Sequence, residues 1–258
     1  IDILIFLSPG FFLYPIMNSE IIGRKEILLF VVLGTFVFFE KYFKDRYLLL
    51  ITLFSILVLS LTHTGLLFYS QYLVFLYLVI RLNRKNKISF IEILITIFFL
   101  LGLFLLLYST EGSKTQVVEI CNSLNSFIKN DCINRGQFFW LSKSMSEYVD
   151  IKSSLDLSSN FIIYLFSLFL VFVFISIKLY FAKFKSSDNY LNLLNPFVIF
   201  LLLFIFTIPI YIVGIDWGRY ISMSYFSTYF IYIFLIKKNM IIFNFKDYLF
   251  KKEISKNL

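Results

Sequence analysis

The chain has 258 residues, of which 59% are hydrophobic and 16% are charged, and its formal net charge is +8. Its mean hydropathy of +0.84 comes from long apolar blocks, whereas a soluble domain would alternate apolar and polar residues with the period of a strand or an amphipathic helix. The composition therefore excludes a soluble globular domain and predicts an all-α, polytopic transmembrane helix bundle.

Eight apolar segments approach the length that a helix needs to cross a bilayer. They cover residues 1–17, 27–42, 47–62, 66–81, 88–108, 160–181, 195–214 and 220–236. The first segment begins at Ile1 without an initiator methionine or the features of a signal peptide, which indicates an N-terminally truncated chain. We expect five helices in 1–108, a large extracytoplasmic loop over 109–159, three helices in 160–236 and a basic cytoplasmic tail over 237–258.

Basic residues crowd four of the connections between these segments. The positive-inside rule places such clusters in the cytoplasm, and an eight-helix count puts all four on the same side. These anchors account for the net positive charge, so no nucleic-acid partner is needed. The tail would either lie along the anionic inner leaflet or form a solvated stop-transfer segment. The clusters are Lys41, Lys44 and Arg46; Arg81, Arg84, Lys85 and Lys87; Lys178, Lys183 and Lys185; and six lysines between 237 and 256.

Three short polar stretches project toward the opposite, outer side. They are "NSEIIGRKE", with Arg24, Lys25 and Glu26; "LTHTG", with His63; and "GIDWGRY", with Asp216, Trp217 and Arg219. Each stretch lies in a turn or at a helix end, and the predicted topology brings all three to one face of the membrane. We expect a functional site where they converge.

Arg219 stands at the N-terminus of the last predicted helix. The exposed amides of a helix N-terminus carry partial positive charge, so a cation there costs free energy unless an anion is present. One interpretation is plain capping, in which Asp216 caps the helix and pairs with Arg219. The other is anion binding, in which the amides and the guanidinium group hold a phosphate.

The "GRKE" stretch repeats this arrangement, because Arg24, Lys25 and Glu26 also stand at a helix N-terminus. Two such sites suggest a diphosphate, although interfacial snorkelling would also explain the cations. His63 is the only histidine. It is either a structural hydrogen-bonding residue or, beside a phosphate site, the general base, with Asp216 orienting or replacing it.

The sequence contains no motif for a metal ion or a nucleotide cofactor, such as HExxH, a P-loop or GxGxxG, and we expect neither kind of cofactor. The two cysteines, Cys121 and Cys132, fall in the predicted outer loop. They would form a disulfide in an oxidising compartment, or else remain reduced and buried. Two cysteines without a nearby histidine cannot complete a zinc site.

The motifs "GRKEILL", "THTGLLFY" and "DWGRYISMS", between residues 23 and 225, resemble those of bacterial O-antigen and capsular polysaccharide repeat-unit polymerases of the Wzy or EpsG type. These are multi-pass proteins of the bacterial inner membrane. Thr64 occupies the position after the histidine, where an acidic residue is associated with that family. The resemblance implies glycosyl transfer between undecaprenyl-diphosphate-linked glycans on the extracytoplasmic face.

On this resemblance Arg24, Lys25 and Arg219 would hold the diphosphate, with Glu26 and Trp217 also in the substrate site. His63 or Asp216 would deprotonate the acceptor hydroxyl. The outer loop would cover the saccharides, with Phe138, Phe139, Trp140 and Tyr148 as stacking residues, and a chain-length regulator or a flippase would be a protein partner. The alternatives are a transporter or flippase of lipid-linked oligosaccharide, and a lipid-glycan ligase or acyltransferase.

Overall fold

The structure is a computed structural model that describes residues 8, 25–84, 88–109, 113–123, 132, 158–185, 195–213 and 217–243. Its described part is mostly helical, with one pair of short strands. In chain order the elements are α1 (Ile27–Phe39), α2 (Asp45–Thr62), α3 (Ser70–Asn83), α4 (Phe90–Ser109), α5 (Lys114–Asn122), α6 (Ser158–Tyr180), β1 (Ala182–Phe184), α7 (Pro196–Ile205), α8 (Ile208–Val213), α9 (Trp217–Lys237) and β2 (Ile241–Phe243). Short 3-10 helices cover Glu40–Tyr42 and Thr64–Tyr69.

Four helical stretches in the described residues are long and apolar enough to cross a membrane, and they identify the chain as a membrane protein. They are Asp45–Thr62, Thr64–Asn83, Phe90–Leu107 and Ile162–Tyr180, and Pro196–Ile205 is a shorter apolar helix. Each coincides with a segment predicted from the hydropathy of the sequence. The predicted segment 1–17 lies outside the described residues except for Ser8.

The predicted helix over 195–214 is wrong in one respect, because two helices, α7 and α8, replace it. Pro209 has no amide hydrogen to donate to the carbonyl of Ile205, four residues earlier, so a continuous helix would leave that carbonyl without its bond. The chain turns at Thr207 instead, whose hydroxyl and amide both donate to the carbonyl of Phe204, at 2.6 Å and 2.8 Å. Asn195 caps the start of α7 by accepting a hydrogen bond from the amide of Phe197 at 2.8 Å.

The described residues up to 93 and from 161 onward form one compact unit, in which α1 and α9 run parallel. The N-termini of these two helices are joined by an ion pair between Glu26 and Arg219. Their C-termini are joined by a second ion pair, between Glu40 and Lys238, and by a bond from Lys237 to the carbonyl of Val37. We call the end that contains Glu26 the His63 end and the end that contains Glu40 the basic end.

Charge is distributed unevenly between these ends. Among the described residues of this unit, the His63 end carries two cations and one acid, so its net charge is +1 with His63 neutral. The basic end carries ten cations and three acids, so its net charge is +7. The groups at the basic end are Lys41, Lys44, Arg46, Arg81, Arg84, Lys178, Lys183, Lys185, Lys237 and Lys238, with Glu40, Asp45 and Glu92.

Arg84 joins three chain segments at the basic end. Its guanidinium group donates to the carboxylates of Glu40 and Asp45 and to the carbonyls of Glu40 and Phe43. Close by in sequence, Arg81 pairs with Glu92 at 3.2 Å. Arg84 is therefore more than a membrane anchor, because it bonds two backbone carbonyls and a carboxylate of the segment that follows α1.

The segment after α9 does not continue into a plain tail. Asn239 adopts a left-handed conformation, with φ of 53°, and the amides of Asn239 and Met240 donate to the carbonyls of Ile236 and Leu235. This is a Schellman motif, in which the chain reverses directly after a helix. The chain then pairs β2 with β1 in antiparallel register, with Lys183 opposite Ile242. The rest of the predicted tail, residues 244–258, lies outside the described residues.

The described residues between 94 and 160 form a second compact unit. It contains most of α4 and the short amphipathic helix α5. Ser113 begins α5 with a capping box, because its hydroxyl accepts from the amide of Gln116 while the Gln116 side chain accepts from the amide of Ser113. Val117, Cys121 and Cys132 make a small buried cluster, and a disulfide joins the two cysteines.

Candidate functional site

The site at the His63 end is built around the ion pair between Glu26 and Arg219. Nη1 of Arg219 lies 2.5 Å from Oε1 of Glu26, although the two residues are 193 positions apart. The side chains are only 14% and 5% exposed, so water screens their charges weakly. Glu26 immediately precedes α1 and Arg219 lies in the first turn of α9. The pair thus joins two of the three polar stretches that the sequence predicts to converge.

The carboxylate of Glu26 is held in its charged form. Burial alone would raise the pKa of Glu26, but a hydrogen bond from its own backbone amide and the charge and hydrogen bond of Arg219 outweigh that effect, and the pKa is lowered. Glu26 also stands at the N-terminus of α1, where a negative charge is favourable. Arg219 is a cation at the N-terminus of α9, where a positive charge is unfavourable. The negative charge of Glu26 offsets this cost. The anion that the sequence requires beside Arg219 is, in this structure, a carboxylate of the same chain.

His63 connects α2 to the 3-10 helix that precedes α3. Its backbone is extended, with φ of −158°, and its Nδ1 accepts a hydrogen bond from the amide of Gly65 at 3.0 Å. A ring nitrogen that accepts from an N–H group carries no proton, so the neutral ring holds its proton at Nε2. His63 therefore offers a hydrogen-bond donor to a ligand. It could act as a general base only if Nδ1 first released the amide of Gly65.

Burial is the main reason that His63 is neutral. Burial lowers its pKa, the negative charge of Glu26 acts in the opposite direction, and the positive charges of Lys25 and Arg219 lower the pKa further. The overall shift of the pKa is downward, which favours the neutral ring at neutral pH. The same interactions show that Lys25, Glu26, His63 and Arg219 are near neighbours, which brings together all three predicted stretches.

Gly65 allows the His63 ring to lie close to the backbone. A Cβ atom at position 65 would be 2.8 Å from Cδ1 of Ile210 and 3.0 Å from both Cε1 and Nδ1 of His63. Real Cβ atoms essentially never approach another heavy atom within 3.0 Å. Glycine at position 65 therefore leaves room for the His63 ring on one side and for Ile210 of α8 on the other.

Aromatic side chains line the start of α9. The ring of Trp217 lies 5.6 Å from that of Tyr164 on α6 and 6.2 Å from that of Tyr211 on α8. The hydroxyl of Tyr69 donates to the carbonyl of Tyr220 at 3.1 Å. These contacts attach the first turn of α9 to three neighbouring segments, and they orient the backbone on which Arg219 stands.

Some of the predicted site residues lie outside the described part of the chain. They are Arg24, Asp216 and the aromatic residues of the outer loop, Phe138, Phe139, Trp140 and Tyr148. Lys25 is described and exposed. Among the residues that the structure describes, no group of three or more His, Cys, Asp and Glu side chains could hold a metal ion.

Two features of the site are not evident from the sequence. The structure pairs Arg219 with Glu26, a partner that the sequence does not suggest. Asp216, the partner that the sequence suggests, lies outside the described residues. The sequence did contain a signal for this pair. Glu26 and Arg219 each stand at a helix N-terminus, and the predicted topology places both on the same side of the membrane. Tyr164 and Tyr211 were missed because aromatic residues make up 21% of the chain and so carry little information individually.

Comparisons of the chain with protein-family models, with characterised proteins and with solved structures found no significant match. The candidate site consists of a buried acid, an arginine, an exposed lysine and a neutral histidine, held together at the less charged end of a membrane-embedded helical unit.

Proposed function

We propose that the protein transfers a glycan from an undecaprenyl-diphosphate carrier to a second lipid-linked glycan, as a metal-independent surface-polysaccharide polymerase of a bacterial inner membrane. The observation that supports this most directly is the convergence of Lys25, Glu26, His63 and Arg219 at the His63 end. Two cations and an N–H donor suit a diphosphate leaving group, and a carboxylate suits a proton acceptor.

The proposal includes an orientation and a topology. The basic end, with its net charge of +7 among described residues, faces the cytoplasm by the positive-inside rule. The His63 end then faces outward, where lipid-linked glycans are available after they have crossed the membrane. Eight spans and a large extracytoplasmic loop over 109–159 belong to the proposed topology.

In this mechanism each side chain of the site has a separate task. Lys25 and Arg219, with Arg24 by its position in the sequence, neutralise the negative charge that develops on the departing diphosphate. His63 donates from Nε2 to a phosphate or sugar oxygen, instead of acting as the base that the sequence alone suggests. Trp217 provides an apolar face beside the reacting sugar.

The function can be tested in the organism that encodes the chain, by deleting the gene and restoring it with variants. Arg219→Ala and Arg24→Ala should abolish long-chain surface glycan while the protein still inserts in the membrane. Lys44→Ala removes an exposed cation at the basic end and should leave chain length unchanged. Normal chain lengths in both arginine variants would show that these residues have no enzymatic role.

The same strains separate the polymerase from its alternatives. A polymerase joins units that other proteins deliver, so its loss leaves single repeat units at the surface. Loss of a flippase or of a ligase leaves no glycan there at all. A gel of surface glycans from the Arg219→Ala strain therefore distinguishes the two classes, and complete absence of glycan would reject the polymerase.

The orientation has an independent test that uses the two cysteines. After reduction of the disulfide, a thiol reagent that cannot cross membranes should label Cys121 or Cys132 in intact cells. Labelling only after lysis would invert the topology and place the His63 end in the cytoplasm.

A further inference from the structure

The two members of the ion pair at the His63 end differ in how well each suits the end of its own helix. The carboxylate of Glu26 lies at the N-terminus of α1, where the helix dipole stabilises it. The guanidinium group of Arg219 lies in the first turn of α9, where the dipole opposes it. An anion is therefore most valuable beside Arg219, and Glu26 is the anion that occupies this position.

The surroundings favour an anion that carries more charge than a carboxylate. Lys25 is exposed beside Glu26, and His63 offers Nε2–H because its Nδ1 is engaged by Gly65. Without Glu26, the described charged groups of the site sum to +2. A phosphate-bearing group brings more negative charge and more acceptor oxygens than Glu26 does, and it can accept two parallel bonds from a guanidinium group.

From this geometry, and resting on the function proposed above, we propose that a phosphate-bearing ligand displaces Glu26 from Arg219 and that the released Glu26 carboxylate is the catalytic base. In the reaction, the acceptor hydroxyl loses its proton to Glu26 as its oxygen forms a bond to the anomeric carbon of the donor glycan. The bond from that carbon to the phosphate oxygen breaks, and its electron pair leaves with the diphosphate, which Arg219 and Lys25 hold.

Such an exchange would couple substrate binding to activation of the base. While Arg219 holds Glu26, the carboxylate is a weak proton acceptor, and an acceptor hydroxyl or water is not deprotonated in the absence of a donor glycan. Once the diphosphate has taken Arg219, the carboxylate remains in a site where its side chain is only 5% exposed and has lost its main counter-charge. A buried carboxylate without a nearby cation binds a proton more readily.

The central test is anion binding by the purified chain in nanodiscs of zwitterionic lipid, measured by calorimetry. Glu26→Gln should bind inorganic diphosphate more tightly than the wild type, because it removes the internal competitor. If Glu26 holds Arg219 in about nine of ten molecules, the gain is about tenfold. Arg219→Gln should weaken diphosphate binding. Adding Glu26→Gln to the Arg219→Gln protein should not increase the affinity further, because Glu26 no longer competes with the ligand for an arginine.

A control separates competition from net charge. Glu119→Gln makes the same change of one charge on α5, at an exposed position, and should leave anion affinity unchanged. Farnesyl diphosphate serves as a second probe. Tighter binding of farnesyl diphosphate than of inorganic diphosphate would assign the ligand to a membrane lipid, and equal binding would assign it to a soluble phosphate.

The outcomes distinguish this inference from the function on which it rests. Tighter diphosphate binding by Glu26→Gln, together with loss of glycan elongation, supports both. Tighter binding in a protein whose wild type elongates no glycan supports the exchange and rejects the polymerase. Unchanged or weaker binding overturns the exchange, whatever the activity. If Glu26→Gln fails to fold, Glu26→Asp shortens the side chain and weakens the pair, and it should give an intermediate gain.

Discussion

Replacing Gly65 by alanine should displace the His63 ring and loosen the turn between α2 and α3. The added Cβ would lie 2.8 Å from Cδ1 of Ile210 and 3.0 Å from Nδ1 of His63. The end of the Ile210 side chain can move aside. The imidazole ring of His63, in contrast, is held beside residue 65 by the hydrogen bond from the amide of that residue to Nδ1. We therefore expect the ring to move away and the bond from that amide to Nδ1 to be lost.

The expected cost has two parts. Loss of a capping hydrogen bond costs about 1 kcal/mol, and insertion of a methyl group into a packed contact costs about 1–3 kcal/mol. The free energy of unfolding should therefore fall by about 2–4 kcal/mol. Gly102→Ala is the matched control, because a Cβ at position 102 meets no atom within 4 Å, and it should not lower stability. Unfolding experiments in mixed detergent micelles would give the free energy of unfolding of both variants.

The chemical state of the ring can be observed directly because His63 is the only histidine. In protein labelled with ¹⁵N-histidine, and purified with a tag that contains no histidine, the two ring nitrogens each give one NMR signal. At neutral pH the signals should show the proton at Nε2 and an unprotonated Nδ1, and Gly65→Ala should change this pattern. A wild-type signal from protonated Nδ1 would refute the assigned hydrogen bond and with it the donor role of His63.

Three further predictions concern pH and the basic end. The pKa of His63 is lowered from 6.5, so the unfolded chain binds a proton at a higher pH than the folded chain does. The free energy of unfolding should therefore be constant above about pH 6.5 and fall as the pH drops below it. His63→Gln should abolish this pH dependence. The pKa of Glu26 is lowered from 4.5, so its contribution should be lost only at still lower pH, and Glu26→Gln should abolish that loss. Arg84→Ala should lower the free energy of unfolding by about 2–4 kcal/mol, because it leaves the carboxylate of Glu40 and two carbonyls without this donor. In the same unfolding assay Lys44→Ala should change stability by less than about 0.5 kcal/mol.

The positions of the membrane helices follow from the sequence because the bilayer sets their length. An apolar block of about 20 residues has few alternatives in a lipid environment, since all its backbone groups must be hydrogen-bonded internally. The predicted segments 47–62, 66–81 and 88–108 accordingly coincide with helices. The break at Thr207 was missed because a hydropathy pattern ignores the missing amide hydrogen of Pro209 in the same apolar block.

The site was harder to predict because its contacts are made between distant parts of the chain. The charges indicate which residues share a side of the membrane, and this was enough to group Glu26, His63 and Arg219. They do not indicate which atoms meet. The pair across 193 residues depends on the parallel packing of α1 and α9, and the proton position on His63 depends on one backbone amide. Both are tertiary features without a local pattern.

Exchanging the two charges distinguishes a structural fastener from a ligand site. In the double variant Glu26→Arg, Arg219→Glu an ion pair can still form at the same place, now with the acid at the N-terminus of α9 and the cation at that of α1. The dipole of α9 then favours its side chain and that of α1 opposes its own, so stability should stay within about 1 kcal/mol of the wild type.

In the proposed mechanism, catalysis depends on where the cation stands, because misplacing a substrate-binding group by about 1 Å can cost 10²-fold in rate. The swapped protein should thus fold and insert, each single variant should be less stable, and glycan elongation should be lost in all three. Normal elongation by the swapped protein would show that the pair only fastens α1 to α9, and the site would have to be sought elsewhere.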